Sequence, residues 1–300
     1  MAEAENIKEF ISPLVLKVEK MRKEAKERQL KEGAVDTNVQ MNKQQKPASA
    51  TVIHIWPKSV RGVPNSILRS ALFGAIKRGR RTFMQREPVA SYESVTVLQT
   101  GPRLDQADLD VWEQCMHLAR TGELGIRILF SAHSFLKSIE RSTGKSQHEW
   151  LKGAFARLAS SVVEIKDGKR VYFGPMIHHG IRDDETGNYC IEINPAIASL
   201  YGDYGWSQIE WSQRIELKRQ PLAQWLHGFY SSHAAPYPLK VETIHRLCGS
   251  ENQQAAGFRR ELRGALSKLQ EVTGWSWEID DADLLHLQKT PTASQSRNLI

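Results

Sequence analysis

A run of basic side chains near residue 80 offers the strongest chemistry in this sequence. No acidic residue occurs from residue 51 to residue 86. The same segment contains eight basic residues, namely Lys58, Arg61, Arg69, Lys77, Arg78, Arg80, Arg81 and Arg86. Four of them form the run Lys-Arg-Gly-Arg-Arg at residues 77–81, which can neutralise several phosphates at once. This distribution favours a nucleic-acid partner, and the alternative is a basic surface loop in solvent.

Amide and guanidinium side chains gather in a second segment, around residue 255. Asn and Gln can form two hydrogen bonds with adenine and Arg with guanine, and each good pair provides roughly 1–3 kcal/mol of base discrimination. A helix that begins at Ser250 would present such side chains from its first turn onward. The candidate contact residues are Ser250, Asn252, Gln253, Gln254, Arg259, Arg260, Arg263 and Lys268. The alternative is that the amides cap the helix and the arginines extend into solvent.

A helix predicted over residues 146–161 carries a smaller polar set. Its candidate contact residues are Lys145, Gln147, Lys152 and Arg157. Because this helix has fewer arginines than the segment after Ser250, we expect it to contact phosphates or a protein rather than to read bases.

The elements that must position these side chains follow from periodicity and turn signals. Leu109, Trp112 and Met116 recur at helical spacing, and Asp105 and Asp108 favour a helix start just before them. A strand, two helices and two further strands are then predicted at residues 126–130, 134–141, 146–161, 162–165 and 169–173. Helix, turn, helix and strand ribbon is the order of a winged helix.

The second half of the chain repeats this order. A long helical stretch, interrupted at Pro221, is predicted over residues 206–232. Helices and strands are then predicted at residues 240–247, 250–272, 275–279 and 284–289. Residues 152–158 and 263–269 also share one order of residue classes, namely basic, Gly, Ala, apolar, small, basic and Leu, at an offset of 111. Together these features favour two related winged-helix units.

We therefore predict an α+β fold, mainly α, with tandem winged-helix domains. The predicted parts are a charged helix and flexible linker over residues 1–50, a first winged-helix domain over 51–205, a second over 206–290 and a polar tail over 291–300. Two such units on one chain can occupy successive major grooves, about 34 Å apart, on one face of a duplex. This arrangement predicts double-stranded DNA with directly repeated, non-palindromic sites as the partner.

Composition and motifs argue against several other classes of protein. The mean hydropathy is −0.46 and no run of 18 apolar residues occurs, so we expect no membrane span. The three cysteines are far apart and no secretory signal is recognisable, which predicts a reducing cytoplasm. The sequence also lacks a Gly-x-x-x-x-Gly-Lys-Ser/Thr loop and a Gly-x-Ser-x-Gly elbow. We therefore predict no catalytic residue and no cofactor.

The adjacent histidines His178 and His179 are the remaining candidate for metal chemistry. Neighbouring side chains of a strand point to opposite faces, so we expect these two rings not to share a metal ion. A nicking enzyme would need a His-apolar-His metal pair and a nucleophilic tyrosine. That histidine spacing is absent from the sequence.

Three segments resemble the TrfA replication initiators of broad-host-range IncP plasmids. They are residues 64–73, which read PNSILRSALF, residues 104–120 with Trp112 at their centre, and residues 231–250 with the motifs SSH, PYPLK, ET and LCGS. The resemblance extends over roughly residues 56–289.

The resemblance implies a tandem winged-helix initiator that binds directly repeated iterons at a plasmid origin. It also implies opening of an adjacent AT-rich segment, with contact to single-stranded DNA, and recruitment of the host initiator protein, replicative helicase and sliding clamp. Interconversion between DNA-binding monomers and inactive dimers would then control copy number. A winged-helix transcriptional repressor without initiator activity is the alternative, because DNA binding alone does not separate the two.

The sequence departs from the family in two places. Before Trp56-Pro57 the family has a clamp-binding peptide of the form Gln-Leu-x-Leu-Phe, whereas residues 52–55 here read VIHI. We therefore do not expect that peptide to bind the clamp. Residues 254–257 read QAAG where the family has basic residues, although Arg259 keeps the basic type. This second departure predicts a different iteron sequence.

Overall fold

The computed structural model describes residues 56–77, 79, 81–92, 95–121, 127–168, 170–202 and 205–296. The charged helix and linker predicted over residues 1–50 lie outside the described residues, as do the candidate contacts Arg78 and Arg80. Within these ranges, no helix combines the length and the apolar character that crossing a membrane requires.

Short strands and helices alternate along the described chain. The strands are β1 (Val60–Pro64), β2 (Phe73–Gly74), β3 (Phe83–Val89), β4 (Thr96–Pro102), β5 (Leu104–Asp105), β6 (Arg127–Ser131), β7 (Val162–Asp167), β8 (Arg170–Pro175), β9 (His179–Arg182), β10 (Asn188–Glu192), β11 (Trp206–Glu210), β12 (Leu239–Lys240), β13 (Ser276–Ile279) and β14 (Leu284–Gln288). The helices are α1 (Asn65–Leu68), α2 (Gln106–Ala119), α3 (Ala132–Ser138), α4 (Lys145–Ser160), α5 (Trp211–Glu216), α6 (Pro221–Ser231), α7 (Val241–Leu247), α8 (Ala255–Thr273) and α9 (Ala293–Ser296). A 3₁₀ helix spans Pro195–Leu200.

Helix α2 begins where the sequence predicts it. The Asp105 carboxylate accepts a hydrogen bond from the Asp108 N–H at 2.9 Å, and the Asp108 carboxylate accepts one from the Asp105 N–H at 3.2 Å. This reciprocal capping box satisfies two N–H groups that a helix start leaves without partners. The apolar stripe that includes Leu109, Trp112 and Met116 is buried in the core.

The first winged helix consists of α2, β6, α3, α4 and the hairpin β7–β8. That hairpin extends an antiparallel sheet with the order β3-β4-β7-β8, and Gly168 provides the left-handed φ of 60° that its turn requires. A second sheet has the order β6-β10-β9. One hydrophobic core, which runs in sequence from Trp56 to Ile209, fills the space between these elements.

The second winged helix consists of α6, β12, α7, α8 and the hairpin β13–β14. Its sheet has the order β12-β14-β13, and α8 ends at Gly274, whose φ of 72° is left-handed. A separate core holds Leu217 and most of the buried apolar residues beyond it, together with Ala75. The predicted tandem winged-helix fold is confirmed, whereas the predicted domain boundary at residue 205 stays a prediction.

A buried ionic network joins α2 of the first unit to α5 and α6. The Arg214 Nε atom lies 2.8 Å from a carboxylate oxygen of Asp110 and 2.8 Å from one of Glu113, and Arg214 and Glu113 are completely buried. Gln224 on α6 donates to Asp110 at 3.3 Å. Burial raises the pKa of Glu113 to about 7 and also raises that of Asp110. Removing one member of such a buried set would leave the others buried without a partner. The network therefore holds the three helices together.

Two predictions about secondary structure are wrong or incomplete. Residues 206–210, predicted as helix, form β11, which pairs antiparallel with β1. Strand β1 is buried along its whole length and needs a hydrogen-bonding partner, and Trp206 packs 5.9 Å from Trp56 between ring centroids. This long-range pairing overrides the local periodicity. Strands β3 and β4, which widen the sheet of the first hairpin, are not predicted at all.

Candidate nucleic-acid interface

Helix α8 begins at Ala255, five residues after the predicted start at Ser250, so that prediction is wrong. The Ser250 hydroxyl accepts a hydrogen bond from the Asn252 N–H at 3.2 Å. The Asn252 side-chain oxygen then accepts one from the Gln254 N–H at 3.1 Å. These side-chain turns compete with helical hydrogen bonds and keep the segment in a loop. Gln253 and Gln254 are exposed in this loop, immediately before the helix.

The solvent face of α8 carries three arginines. Phe258, Leu262, Ala265, Leu266 and Leu269 are buried in the core of the second unit. At 100° per residue, the opposite face is formed by Ala256, Arg259, Arg260, Arg263, Gly264 and Ser267. Long cationic side chains therefore project beside small residues, an arrangement in which the helix backbone can approach a nucleic-acid groove closely.

Arg259 pairs with the β13–β14 hairpin, which is the wing of the second unit. Its Nε and Nη2 atoms donate hydrogen bonds of 3.0 and 2.7 Å to the two carboxylate oxygens of Asp283, in the β13–β14 turn. The guanidinium holds the pKa of Asp283 below its ordinary value, and the charge of Arg263 acts in the same direction. Arg260 and Arg263 are exposed. Lys268 lies on another side of α8, where it pairs with Glu271 at 2.8 Å.

The candidate contacts on α4 are largely engaged with other side chains. Lys152 lies 3.1 Å from both Glu149 and Asp184. The Gln147 side-chain oxygen accepts a 3.1 Å hydrogen bond from Arg141, whose guanidinium stacks 3.4 Å above the Trp150 ring. Lys145, in the first turn, is exposed.

Arg157 connects α4 to the start of α2. Its guanidinium donates hydrogen bonds of 2.7–3.1 Å to both carboxylate oxygens of Asp108, which is buried. Burial raises the pKa of Asp108 to about 6, the neighbouring charge of Asp105 adds to this, and Arg157 opposes it. Because its side chain is only 22% exposed, Arg157 lies mainly within the protein.

The two ends of the basic run near residue 80 lie in different environments. Lys77 is exposed, next to a cleft of about 450 Å³ between α2 and the loops before α4 and α6. Arg81 is only 14% exposed and forms an ion pair with Asp105, the residue that caps α2. The candidate run therefore includes at least one arginine that stabilises the fold.

Two glycines on these helices are functional candidates that sequence reasoning missed. Gly153 on α4 and Gly264 on α8 occupy equivalent positions in the repeated segment. A Cβ atom added at Gly264 would meet nothing within 4 Å, and one at Gly153 would meet only the end of the Arg157 side chain, at 3.3 Å. Glycine inside a helix costs roughly 0.5–1 kcal/mol relative to alanine. The repeat itself is the signal that could have identified them.

The adjacent histidines do not point to opposite faces, so that prediction is wrong. Their ring centroids are 4.8 Å apart in an edge-to-face arrangement. His178 precedes β9, which begins at His179, and strand alternation therefore does not apply to the pair.

The model of the TrfA protein family matches residues 18–289. This chain belongs to the TrfA family. A curated relative of this TrfA-family chain, the plasmid replication initiator protein TrfA of Escherichia coli, is 25% identical over 245 residues, which cover 78% of the chain and 63% of the relative. The chain thus spans less than two-thirds of the length of that relative. The resemblance found in the sequence is confirmed.

Solved structures similar to this TrfA-family chain are distant in sequence. A crystal structure of domains 2 and 3 of RctB has a TM-score of 0.50 at 11% identity, covering 75% of this chain and 96% of that one. This likeness concerns the fold alone. A crystal structure of Pi initiator protein in complex with iteron DNA has a TM-score of 0.45 at 12% identity, covering 59% of this chain and 88% of that one.

Proposed function

We propose that this TrfA-family chain is a plasmid replication initiator that binds directly repeated sites in double-stranded DNA at an origin. The family match and the name of the Escherichia coli relative support the initiator role. The exposed face of α8, with three arginines beside Ala256, Gly264 and Ser267, is the observation that carries the DNA-binding part. In helix-turn-helix proteins, the second helix of the motif is the one that enters the major groove, and α8 has that place in the element order of the second unit.

We assign base reading to α8 rather than to α4. Arg260 and Arg263 are exposed cationic donors on one helix face, whereas Lys152 and Arg157 on α4 already face carboxylates. Lys145 and the exposed Lys77 remain suited to phosphates. Specificity should therefore depend on α8, while contacts of the first unit position the protein on the duplex.

Arg259 can contribute to reading without leaving Asp283. A guanidinium has five N–H donors, and the Asp283 carboxylate receives hydrogen bonds from Nε and Nη2. The Nη1 group points away from that pair and can donate to a guanine or a phosphate. In this arrangement the wing carboxylate fixes the plane of the guanidinium before DNA arrives.

The finer activities are part of the same proposal. They are binding in tandem by winged-helix domains at residues 51–205 and 206–290, opening of AT-rich DNA, recruitment of the host initiator and helicase, and dimerisation that limits copy number in the bacterial cytoplasm. Clamp binding through residues 52–55 is not included, and those residues lie outside the described ranges. We assign no catalytic residue and no cofactor to this function.

A footprint of the full chain on DNA flanking its gene tests the DNA-binding proposal. We expect protected direct repeats, which disappear when Arg260 and Arg263 are both changed to Ala. The Lys268→Ala variant is the control, because Lys268 lies off the arginine face and pairs with Glu271. Protection of a palindrome, or equal protection by the double variant, would contradict the proposal.

The initiator role needs a separate test, because a repressor would give the same footprint. A plasmid that carries this gene and its flanking DNA can be introduced into a host that cannot replicate the vector. Colonies that depend on intact Arg260 and Arg263 support an initiator. A normal footprint without colonies supports a repressor.

A further inference from the structure

A compact set of metal-binding side chains lies at the end of the β9–β10 hairpin. His179, the first residue of β9, pairs in register with Glu192, the last residue of β10. The His178 N–H donates to the Glu192 carbonyl at 3.1 Å and so fixes the residue before the strand as well. Backbone pairing therefore brings two imidazoles and one carboxylate to one place, although they lie in two separate parts of the sequence.

The distances within this set suit a small divalent ion. The Nδ1 atom of His178 lies 3.8 Å from one oxygen of Glu192, and the Nε2 atom of His179 lies 3.2 Å from the other. The candidate donor atoms of all three residues lie within 4.8 Å of one another. Ligands about 2.1 Å from a tetrahedral zinc ion are roughly 3.4 Å apart. Small side-chain rotations therefore bring the three donors to coordination distance.

Burial also suits a site that ions can enter. The side chains of His178 and His179 are 49% and 52% exposed, while that of Glu192 is 17% exposed. The carboxylate is thus held by the sheet, and the two imidazoles can move toward an ion without repacking the core. Both imidazoles approach the same carboxylate, so a cation bound between them would replace two separate contacts with one shared centre.

We propose that His178, His179 and Glu192 bind a divalent transition-metal ion, with Zn²⁺ as the best match. Two imidazole nitrogens and one carboxylate oxygen are the donor set that zinc accepts with a fourth position left for water. The harder ions Mg²⁺ and Ca²⁺ prefer oxygen ligands alone. None of the three residues belongs to the candidate DNA contacts, so the site is a property separate from the proposed function.

Zinc titration of the tag-free full chain by calorimetry tests this inference. We expect one equivalent of Zn²⁺ to bind, and the His178→Ala, His179→Ala and Glu192→Ala variants each to bind much more weakly. Loss of an outer-shell partner alone costs about 10–100-fold in metal affinity, and loss of a ligand should cost at least as much. His133→Ala is the matched control, because His133 is another exposed histidine of the first unit. It should bind zinc as the unchanged chain does.

Cobalt provides a second readout, which reports the coordination geometry of the bound ion rather than its affinity. Co²⁺ at the proposed site should give the visible absorption of a four-coordinate complex, and excess Zn²⁺ should remove it. Circular dichroism of each variant establishes that the fold is retained. The inference is overturned if the unchanged chain binds no zinc, if the three variants bind as well as the control, or if Co²⁺ gives only the spectrum of the hydrated ion.

Discussion

Arg259 on α8 and Asp283 in the β13–β14 turn form a two-pronged ion pair, with N···O distances of 3.0 and 2.7 Å. The pair connects α8, the helix to which we assign base reading, to the turn of the β13–β14 hairpin. The two side chains are 41% and 32% exposed, so the pair contributes at most about 1 kcal/mol to stability. Its main effect is therefore on the direction of the guanidinium and on the local charge.

Changing Asp283 to Asn should strengthen DNA binding with little loss of stability. Asn tolerates the left-handed φ of 63° at this position, and the change removes a negative charge beside the arginine face. We expect higher affinity for both specific and random DNA, measured by fluorescence anisotropy, and a lower ratio between the two because Arg259 is less well oriented. An unchanged affinity would show that Asp283 does not face DNA.

Changing Arg259 and Arg263 to Ala should weaken specific binding far more than binding to random DNA. Removing an arginine that reads a base costs about 1–3 kcal/mol of discrimination, whereas random binding depends mainly on phosphates. Competition assays at constant salt measure both affinities. An equal weakening on the two DNAs would mean that these arginines contact phosphates only.

Changing Gly264 to Ala should have opposite effects on stability and on DNA binding. The new Cβ atom meets nothing within 4 Å, so the free energy of unfolding in urea should rise by about 0.5–1 kcal/mol. If α8 lies deep in the groove, the same methyl group weakens specific binding. Ser267→Ala, which adds no bulk to this face, is the control. A stabilised variant with full affinity would show that the glycine is not at the contact.

The basic run should divide into one structural arginine and three residues that contact DNA. Changing Lys77, Arg78 and Arg80 together to Ala should flatten the slope of log affinity against log salt by about 0.9 for each phosphate that the variant no longer neutralises. Changing Arg81 alone should leave that slope unchanged and lower the melting temperature, because Arg81 pairs with the capping residue Asp105. The reverse pattern would contradict this division.

Changing Arg157 to Ala should destabilise the protein by about 3 kcal/mol at pH 8, because the buried Asp108 loses its cationic partner. The pKa of Asp108, already raised to about 6, should rise further. A raised carboxyl pKa favours the neutral form in the folded state. The loss should therefore be smallest below the ordinary aspartate pKa and should grow as the pH rises through the folded value.

Lys268→Ala is the matched control for this variant, since Lys268 holds the equivalent place on α8 and pairs with an exposed glutamate. It should cost less than about 1 kcal/mol at either pH. Urea unfolding at pH 5 and pH 8 measures both variants. A cost for Arg157→Ala that does not depend on pH would show that Asp108 is not the group responsible.

Local signals predicted the parts of the fold that short-range physics controls. The capping aspartates predicted the start of α2, and the strands predicted at residues 275–279 and 284–289 form the β13–β14 hairpin. The three arginines named as candidate contacts lie on one face of α8, although side-chain turns at Ser250 and Asn252 delay the helix start. Such turns offer the backbone an alternative to helical hydrogen bonds, so composition alone does not decide between the two.

The missed features depend on partners that are distant in sequence. Strand β11 forms because β1 lies beside it, more than 140 residues earlier in the chain. Arg81 and Arg157 turn inward because Asp105 and Asp108 are buried carboxylates, and the sequence does not reveal that burial. The two histidines meet Glu192 through a strand register that only the folded sheet defines.

The buried contact of Arg214 with Asp110 and Glu113 has a consequence for the spacing of the two winged-helix units. Such a buried cluster resists small displacements, because separating Arg214 from its carboxylates leaves a buried charge without a partner, at a cost of several kcal/mol. In the proposed complex with DNA, this rigid connection would fix both the distance between the two units and their rotation about the duplex axis. Inserting half a helical turn of base pairs between the DNA segments that the two units cover should therefore prevent both units from binding at the same time. If the units were joined by a flexible connection instead, both would still bind.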